Sequence, residues 1–267
     1  MLEPFLKWAG GKRWLISQYG DLFPREFNRY IEPFLGGGAV YFHLKPEDAI
    51  LADSNADLIN AYQMIAENPG RLQSLLVEYH EQHCEDFYYR MRAKRLRSPL
   101  SKAARFIYLN RVCFNGLYRV NQRGDFNVPI GSKTVVRFPP GFLHEVSQSL
   151  QPACFLVSDF EAVLNEAEED DFVYVDPPYT VMHNNNNFVK YNDVLFSWED
   201  QVRLSVAVAA ASERGALVFV SNADHPSVRE LYEGFGFHHT LVRSSILAGR
   251  SAARRRTSEI AILNYEV

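Results

Sequence analysis

Seven short runs of apolar, largely β-branched residues divide this chain, and their near-continuous hydrophobicity constrains its fold more than any other feature. They are "RYIEPF" (29–34), "AILAD" (49–53), "CFLVSD" (154–159), "FVYVD" (172–176), "ALVFVS" (216–221), and a late pair, "HHTLVRS" (238–244) and "EIAILNY" (259–265). A strand with one wet face alternates apolar and polar residues, whereas a strand covered on both faces does not. Helical patterns lie between the runs. "SWEDQVRLSVAVAAASERG" (197–215) opens with a capping box, Ser197 with Asp200, and stops at Gly215. "DHPSVRELYEGFG" (224–236) reads as a shorter helix. Such alternation predicts an α/β fold with a doubly wound, mostly parallel sheet.

The middle of the chain breaks the alternation. From Asn55 to about residue 150 the strand signal disappears, and Leu58, Ile59, Tyr62 and Ile65, then Leu72, Leu75, Leu76 and Tyr79, recur at helical spacing. Pro99 suits the first turn of a helix running to about Asn110, and "NQRGDFNVPIGSK" (121–133) reads as a hairpin tip. The expected division is therefore an α/β domain of residues 1–54 and 146–267, with a helical insertion over 55–145. That insertion carries a basic excess. No acid occurs between Phe87 and Gly124, where ten cations fall, among them Arg92, Arg105, Arg111 and Arg119, although the whole chain has a net charge of −4. Arg250, Arg254, Arg255 and Arg256 form a second cluster. Segregation of this kind predicts a positive face on an acidic body, against the plainer alternative of solvated helix charge. Three scattered cysteines in 267 residues argue against a disulfide framework and suit a reducing cytoplasm. No zinc-type spacing is present, so no metal is assigned, and no apolar run approaches membrane-spanning length.

Three segments carry chemistry. In "IEPFLGGGAVYFHL" (31–44) a strand runs through Phe34 into Gly36, Gly37 and Gly38 and then a helical pattern, a turn that permits close approach of a ligand to backbone. It lacks the GxGxxG of a dinucleotide fingerprint. Asp53 closes the second strand, where an acid can accept both hydroxyls of a ribose or else cap the following helix, as Ser54 and Asn55 also can. Asp176-Pro177-Pro178-Tyr179 ends the fourth strand. Ligands of open α/β sheets bind at the carboxyl ends of strands, the prolines fix the backbone and lack an N–H, and Tyr179 offers a flat face. A carboxylate beside a rigid carbonyl can accept both hydrogens of an amino group on a planar ring.

With these residues in place, the sequence resembles the Dam-type DNA adenine methyltransferases along nearly its whole length. The blocks are "FLKWAGGK" (5–12), "EPFLGGGAV" (32–40), "ILADSNADL" (50–58), "YLNRVCFNGLYRVNQRGDFNVPIG" (108–131) and "VDPPY" (175–179). The resemblance implies a Rossmann-like methyltransferase domain using S-adenosylmethionine, with 55–145 as its target-recognition part. It implies that Trp8, Lys12, Phe34, Gly36, Gly38, Asp53 and Asp176 contact this donor or close its pocket, and that Asp159 lies near its adenine. Asp176, Pro177, Pro178 and Tyr179 would be catalytic: hydrogen bonds from the adenine amine to Asp176 and the Pro177 carbonyl free its lone pair for direct methyl transfer. The base must be flipped from the duplex, with Tyr179 receiving it.

Recognition falls in 108–131 by the same resemblance. Arg119 would read guanine, Asn115, Leu117 and Pro129 the neighbouring bases, Phe114 would insert, and Lys7 would touch a flanking base, a set that favours GATC. Phe188 and Tyr191, in the loop 183–192, and the arginines at 250–256 are expected on the phosphate side. Double-stranded DNA is the expected partner, a cognate restriction enzyme is a candidate one, and a cytoplasmic, nucleoid-associated monomer is expected. Two alternatives stay open: a methyltransferase acting on amines of RNA or on cytosine, and a DNA-binding accessory subunit without activity. Asp176 counts against the first, and the joint presence of Trp8, Asp53 and Asp176 against the second.

Overall fold

The computed structural model describes residues 2–121, 123–182, 196–243 and 257–267. The loop 183–192, with Phe188 and Tyr191, and the arginines at 250–256 lie outside the described residues. The chain divides into two compact units, one of Met1–Lys12, Leu35–Glu47 and Asp53–Val157, the other of Arg13–Phe34, Asp48–Ala52 and Ser158–Val267. Among the described residues no helix is long and apolar enough to cross a membrane.

All seven apolar runs form strands: β1 (Tyr30–Glu32), β2 (Ala49–Asp53), β3 (Ala153–Val157), β4 (Phe172–Val175), β5 (Leu217–Ala223), β6 (Phe237–Arg243) and β7 (Thr257–Leu263). In the second unit β2, β1, β4 and β5 lie side by side in parallel, and the late pair joins them antiparallel, β7 against β5 and β6 against β7. The architecture is a mixed α/β sheet. All four residues of β4 are buried, as a strand covered on both faces requires. Trp198–Glu213 is the expected long helix, and its capping box is complete, with the Ser197 side chain and Asp200 each accepting from the other's backbone. The shorter helix stops at Leu231, five residues before the apolar pattern ends at Gly236.

One ion pair fixes where β1 and β4 begin. The buried Asp171 carboxylate accepts from the Arg29 guanidinium at 2.8 and 3.3 Å, from the Arg29 backbone N–H, and from the Glu168 N–H. Asp171 holds the Arg29 guanidinium above its ordinary pKa.

The first unit is mostly helical, as the periodicity predicts. Its helices are Ala56–Glu67, Pro69–Glu81, Glu85–Ala93, Pro99–Val112 and Phe142–Ser149, with Pro69 and Pro99 each in a first turn. Leu58, Ile59, Tyr62, Ile65, Leu72 and Leu76 are all fully buried. The 121–133 stretch is a narrow hairpin tip, with Val120 opposite Phe126 and Cys113 opposite Ile130. The positive face is thinner than the sequence suggests. Arg105 donates to the Met91 and Arg92 carbonyls at the end of a helix, Arg92 to the Val128 carbonyl, and Arg111 lies 4.0 Å over the Phe138 ring. These three cations hold the insertion together.

Asp171→Ala should lower stability by roughly 2 to 3 kcal/mol in urea unfolding, because it strands the Arg29 charge. The loss should fall short of that for a wholly buried pair, since Arg29 keeps a quarter of its side chain exposed.

Candidate functional site

The carboxyl end of β4 carries the second unit's chemistry. Strand β4 is hydrogen-bonded on both sides, to β1 and to β5, so the residue that follows it leaves the sheet at a fixed point. That residue is Asp176. The Pro178 carbonyl accepts from Gln201, whose own amide oxygen accepts from Asn222 at 3.0 Å, and both amides are fully buried. Beyond the prolines, Tyr179 donates to Glu259 at 2.6 Å, with the Ser221 hydroxyl 3.0 Å away. Its ring is therefore held at the far end by β5 and β7. Neither Glu259 nor Ser221 is among the site residues expected from the sequence, because nothing local marks a partner that far along the chain.

Electrostatics keep this ring neutral. Burial, then the charges of Asp176 and Glu259, push the Tyr179 hydroxyl well above its ordinary range. Burial and the same acids do likewise to Tyr174. Tyr30, which donates to the buried Glu32 at 3.0 Å, is also raised, first by burial and then by Glu32. Tyr179 is thus a hydrogen-bond donor and a flat surface, and not a base. Phe34, just past β1, stacks on Phe160 with centroids 5.5 Å apart and meets Phe196 edge-on at 5.6 Å. Asp159 caps the next helix, accepting from the Glu161 N–H at 3.0 Å, and pairs with Arg203 at 3.0 Å.

In the first unit the glycine turn, Asp53 and Trp8 come together. Asp53 does not cap the helix after β2; Asn55 does, accepting from the Asp57 and Leu58 N–H groups. Instead Asp53 receives the Gly36 N–H at 3.2 Å and the Asn55 N–H at 2.9 Å. Burial raises its pKa, and these two N–H groups oppose the rise. Each oxygen thus accepts one bond and keeps a lone pair for a ligand hydroxyl. Gly36 has φ +47, and a Cβ there would lie 2.7 Å from the Trp8 ring. Gly38 sits under the Tyr62 hydroxyl, which donates to the Gly36 carbonyl at 3.1 Å. Tyr62 reads in the sequence as core alone; in the fold it also fixes this turn. Trp8 stacks on Tyr118 at 5.5 Å and leans on Phe106 at 6.3 Å. Lys12 is buried, at 4% exposure, not the surface charge its residue type suggests.

The sequence-expected recognition residues also converge in this unit. Phe114 donates its N–H to the Pro129 carbonyl at 2.9 Å, and Gly131 to Val112 at 2.7 Å, closing an arm over 112–131. Where the arm closes, Phe114 is 51% exposed and Leu117 37%, an unusual display of apolar surface on a polar hairpin. Asn115 takes a left-handed φ of 55°, turning the chain between them. Arg119 is exposed, and its Nε donates to Asn127 at 2.7 Å, which sets the direction of the guanidinium. Lys7 reaches this arm: burial, then the neighbouring Lys133 amine and the charge of Arg111, lower its pKa to about 8.

The second unit thus sets Asp176 and Tyr179 at the end of a strand, and the first carries an arm with exposed Phe114, Leu117 and Arg119. The chain belongs to the family of D12 class N6 adenine-specific DNA methyltransferases, whose model matches residues 8–246. It is 37% identical to the Type II methyltransferase M1.LlaDCHI of Lactococcus lactis subsp. cremoris over 273 residues, 99% of this chain and 96% of the relative. It is 36% identical to the DNA adenine methylase of Haemophilus influenzae over 250 residues, covering 91% and 87% of the two chains. With the DNA adenine methylase of Escherichia coli K12 the identity is 34% over 265 residues, 97% and 94% of the two. The chain is therefore an adenine-specific DNA methyltransferase, and its reaction needs a methyl donor.

Lys7 gives a pH test. A lysine lowered to about 8 is mostly neutral at pH 9, and the negative field of bound duplex DNA would favour its charged form. Duplex binding at pH 9 should then take up a proton, measured by calorimetry in buffers of different ionisation enthalpy, and affinity should fall as pH rises through about 8. Lys7→Met should remove the uptake.

Proposed function

We propose that this chain transfers a methyl group from S-adenosylmethionine to the exocyclic amine of adenine within GATC in duplex DNA, acting on a base flipped out of the helix. The observation that carries this reading is the exit of β4. There Asp176 and the Pro177 carbonyl stand at a stiff turn, and a neutral Tyr179 ring is pinned by Glu259 and Ser221. An adenine amine presented to them would donate one hydrogen to each oxygen, drawing its nitrogen toward the tetrahedral geometry that releases the lone pair. Tyr179 would support the ring by stacking, which suits any flipped purine and costs no proton transfer.

The residues present fit the donor. Asp53 keeps a lone pair on each oxygen for two sugar hydroxyls, and the Gly36 turn has backbone that a side chain would cover. Trp8, Lys12, Phe34, Gly36, Gly38, Asp53, Asp159 and Asp176 would hold it. When bound, S-adenosylmethionine supplies an electrophilic methyl group on a sulfonium. The task of the chain is then to orient the amine and exclude water. Asp176→Ala should lower kcat by at least about a hundredfold while donor binding by the folded protein persists. Transfer of labelled methyl to duplex DNA measures the first, and calorimetry the second.

For recognition, the arm over 112–131 would enter the major groove. Phe114 would insert where the adenine leaves, Asn115, Leu117 and Pro129 would meet neighbouring bases, and Lys7 a flanking one. Arg119 would pair with guanine through its fork, steadied by Asn127. The Type II relatives support a cognate restriction enzyme as a partner. One chain carries donor, acceptor and reading groups, which supports a monomer working on the nucleoid in the cytoplasm. Single-molecule sequencing of DNA from cells with and without the protein tests the motif, and methylated adenine elsewhere than GATC would contradict it. Arg119→Ala should cost about 1 to 3 kcal/mol of discrimination at one guanine, read from kcat/KM on duplexes with that base pair changed.

A further inference from the structure

The segment that brings Lys7 and Trp8 into the first unit has no regular secondary structure, so its backbone groups need partners from elsewhere. One side chain provides them. Asn110, on the helix Pro99–Val112 and 1% exposed, accepts the Lys7 N–H through Oδ1 at 3.0 Å. Its Nδ2 donates to the Lys7 carbonyl at 2.8 Å and to the Gly116 carbonyl at 3.2 Å, which uses both amide hydrogens. A single side-chain amide thus takes the place of a neighbouring strand for Lys7 and holds the recognition turn to it. Gly116 has φ +66, and a Cβ there would lie 2.6 Å from Lys7 Cδ, so the Lys7 side chain packs directly on the glycine.

Direct contacts extend this joint in both directions. Trp8, next to Lys7, lies against Gly36, which in turn donates to Asp53. Tyr118, two residues after Gly116 and one before Arg119, is the ring on which Trp8 stacks. The exposed turn of Phe114, Asn115 and Leu117 is thus tied at Gly116 to Lys7, and through Tyr118 to Trp8.

We infer that Asn110 is a positioning residue for specificity: touching neither base nor donor, it couples the base-reading turn to the Trp8 wall beside Asp53, so that a mismatched base pair weakens methyl transfer. This rests on the donor and recognition roles proposed above. Coupling between sites through two states of a packed element is typically worth several-fold or more in affinity.

The experiment compares wild type, Asn110→Ala and Tyr118→Leu on GATC duplexes and on duplexes with one base pair changed. It measures kcat and KM for DNA and for S-adenosylmethionine, and follows thermal unfolding of each protein. Both variants should lose roughly tenfold or more of the kcat/KM ratio between matched and changed sites, with a raised KM for the donor on matched DNA. A merely structural role would lower activity on all duplexes alike and leave the ratio unchanged, which overturns the inference. If Asn110→Ala does not fold, Tyr118→Leu, which removes the half-exposed stacking ring, decides by the same ratio. A wild type that discriminates while the variants discriminate equally well sinks this inference and spares the functional reading. A wild type that methylates no duplex adenine sinks the reading and the inference together.

Discussion

The position of Asp176 depends on the backbone hydrogen bonds that β4 makes to β1 on one side and β5 on the other. A group at the end of a doubly paired, buried strand has its backbone position held from both sides. Two prolines then remove much of the remaining backbone freedom. Register does the rest. Strand β7 pairs antiparallel with β5 so that Glu259 lies opposite Ala223, two residues from Ser221. A slip of one residue would turn Glu259 to the other face of the sheet and leave the buried Tyr179 hydroxyl without its acceptor. The setting of the Tyr179 ring is thus a consequence of strand pairing some eighty residues along the chain.

The first unit solves a different problem. Its segments 7–8, 36–38 and 114–119 contain no α-helix or strand, and such backbone is held by side chains where it has no ladder. Tyr62 holds the glycine turn, Asn110 holds Lys7 and Gly116, and Asn127 aims Arg119. Each is a polar group reaching from a helix or hairpin to satisfy a particular carbonyl, N–H or guanidinium. Such bonds contribute about 1 kcal/mol each to stability, but leaving a buried partner unmade costs more, and that asymmetry gives the loops a single conformation.

Much of this was legible in the sequence, for identifiable reasons. The strands were, because a run such as "FVYV" is apolar on both faces and cannot be a surface element. The long helix was, because Ser197 and Asp200 mark its start and Gly215 its stop. The family was legible as a resemblance to the Dam-type methyltransferases, carried by "FLKWAGGK", "EPFLGGGAV", "ILADSNADL", the 108–131 block and "VDPPY". Glu259, Ser221, Gln201, Asn110 and the second role of Tyr62 were not, since each acts on a residue 23 or more positions away and has no local signature. The arginines mislead for the reverse reason. A sequence counts Arg105 and Arg111 as charge, whereas the fold uses one to close a helix end and the other to cover an aromatic ring. At Asp53 three adjacent residues could cap a helix, and the choice of Asn55, which leaves Asp53 for Gly36, is made by packing around the turn.

The central claim is that an adenine amine meets Asp176 and the Pro177 carbonyl with its ring on Tyr179. The most direct measurement is a structure of the chain with a GATC duplex and the demethylated donor product. The account predicts an extrahelical adenine whose N6 lies within hydrogen-bond distance of both oxygens, with Glu259 still bound to Tyr179. An adenine that stays stacked and paired in the duplex while the rest of the complex is fully assembled, or an N6 that faces other groups, would contradict it.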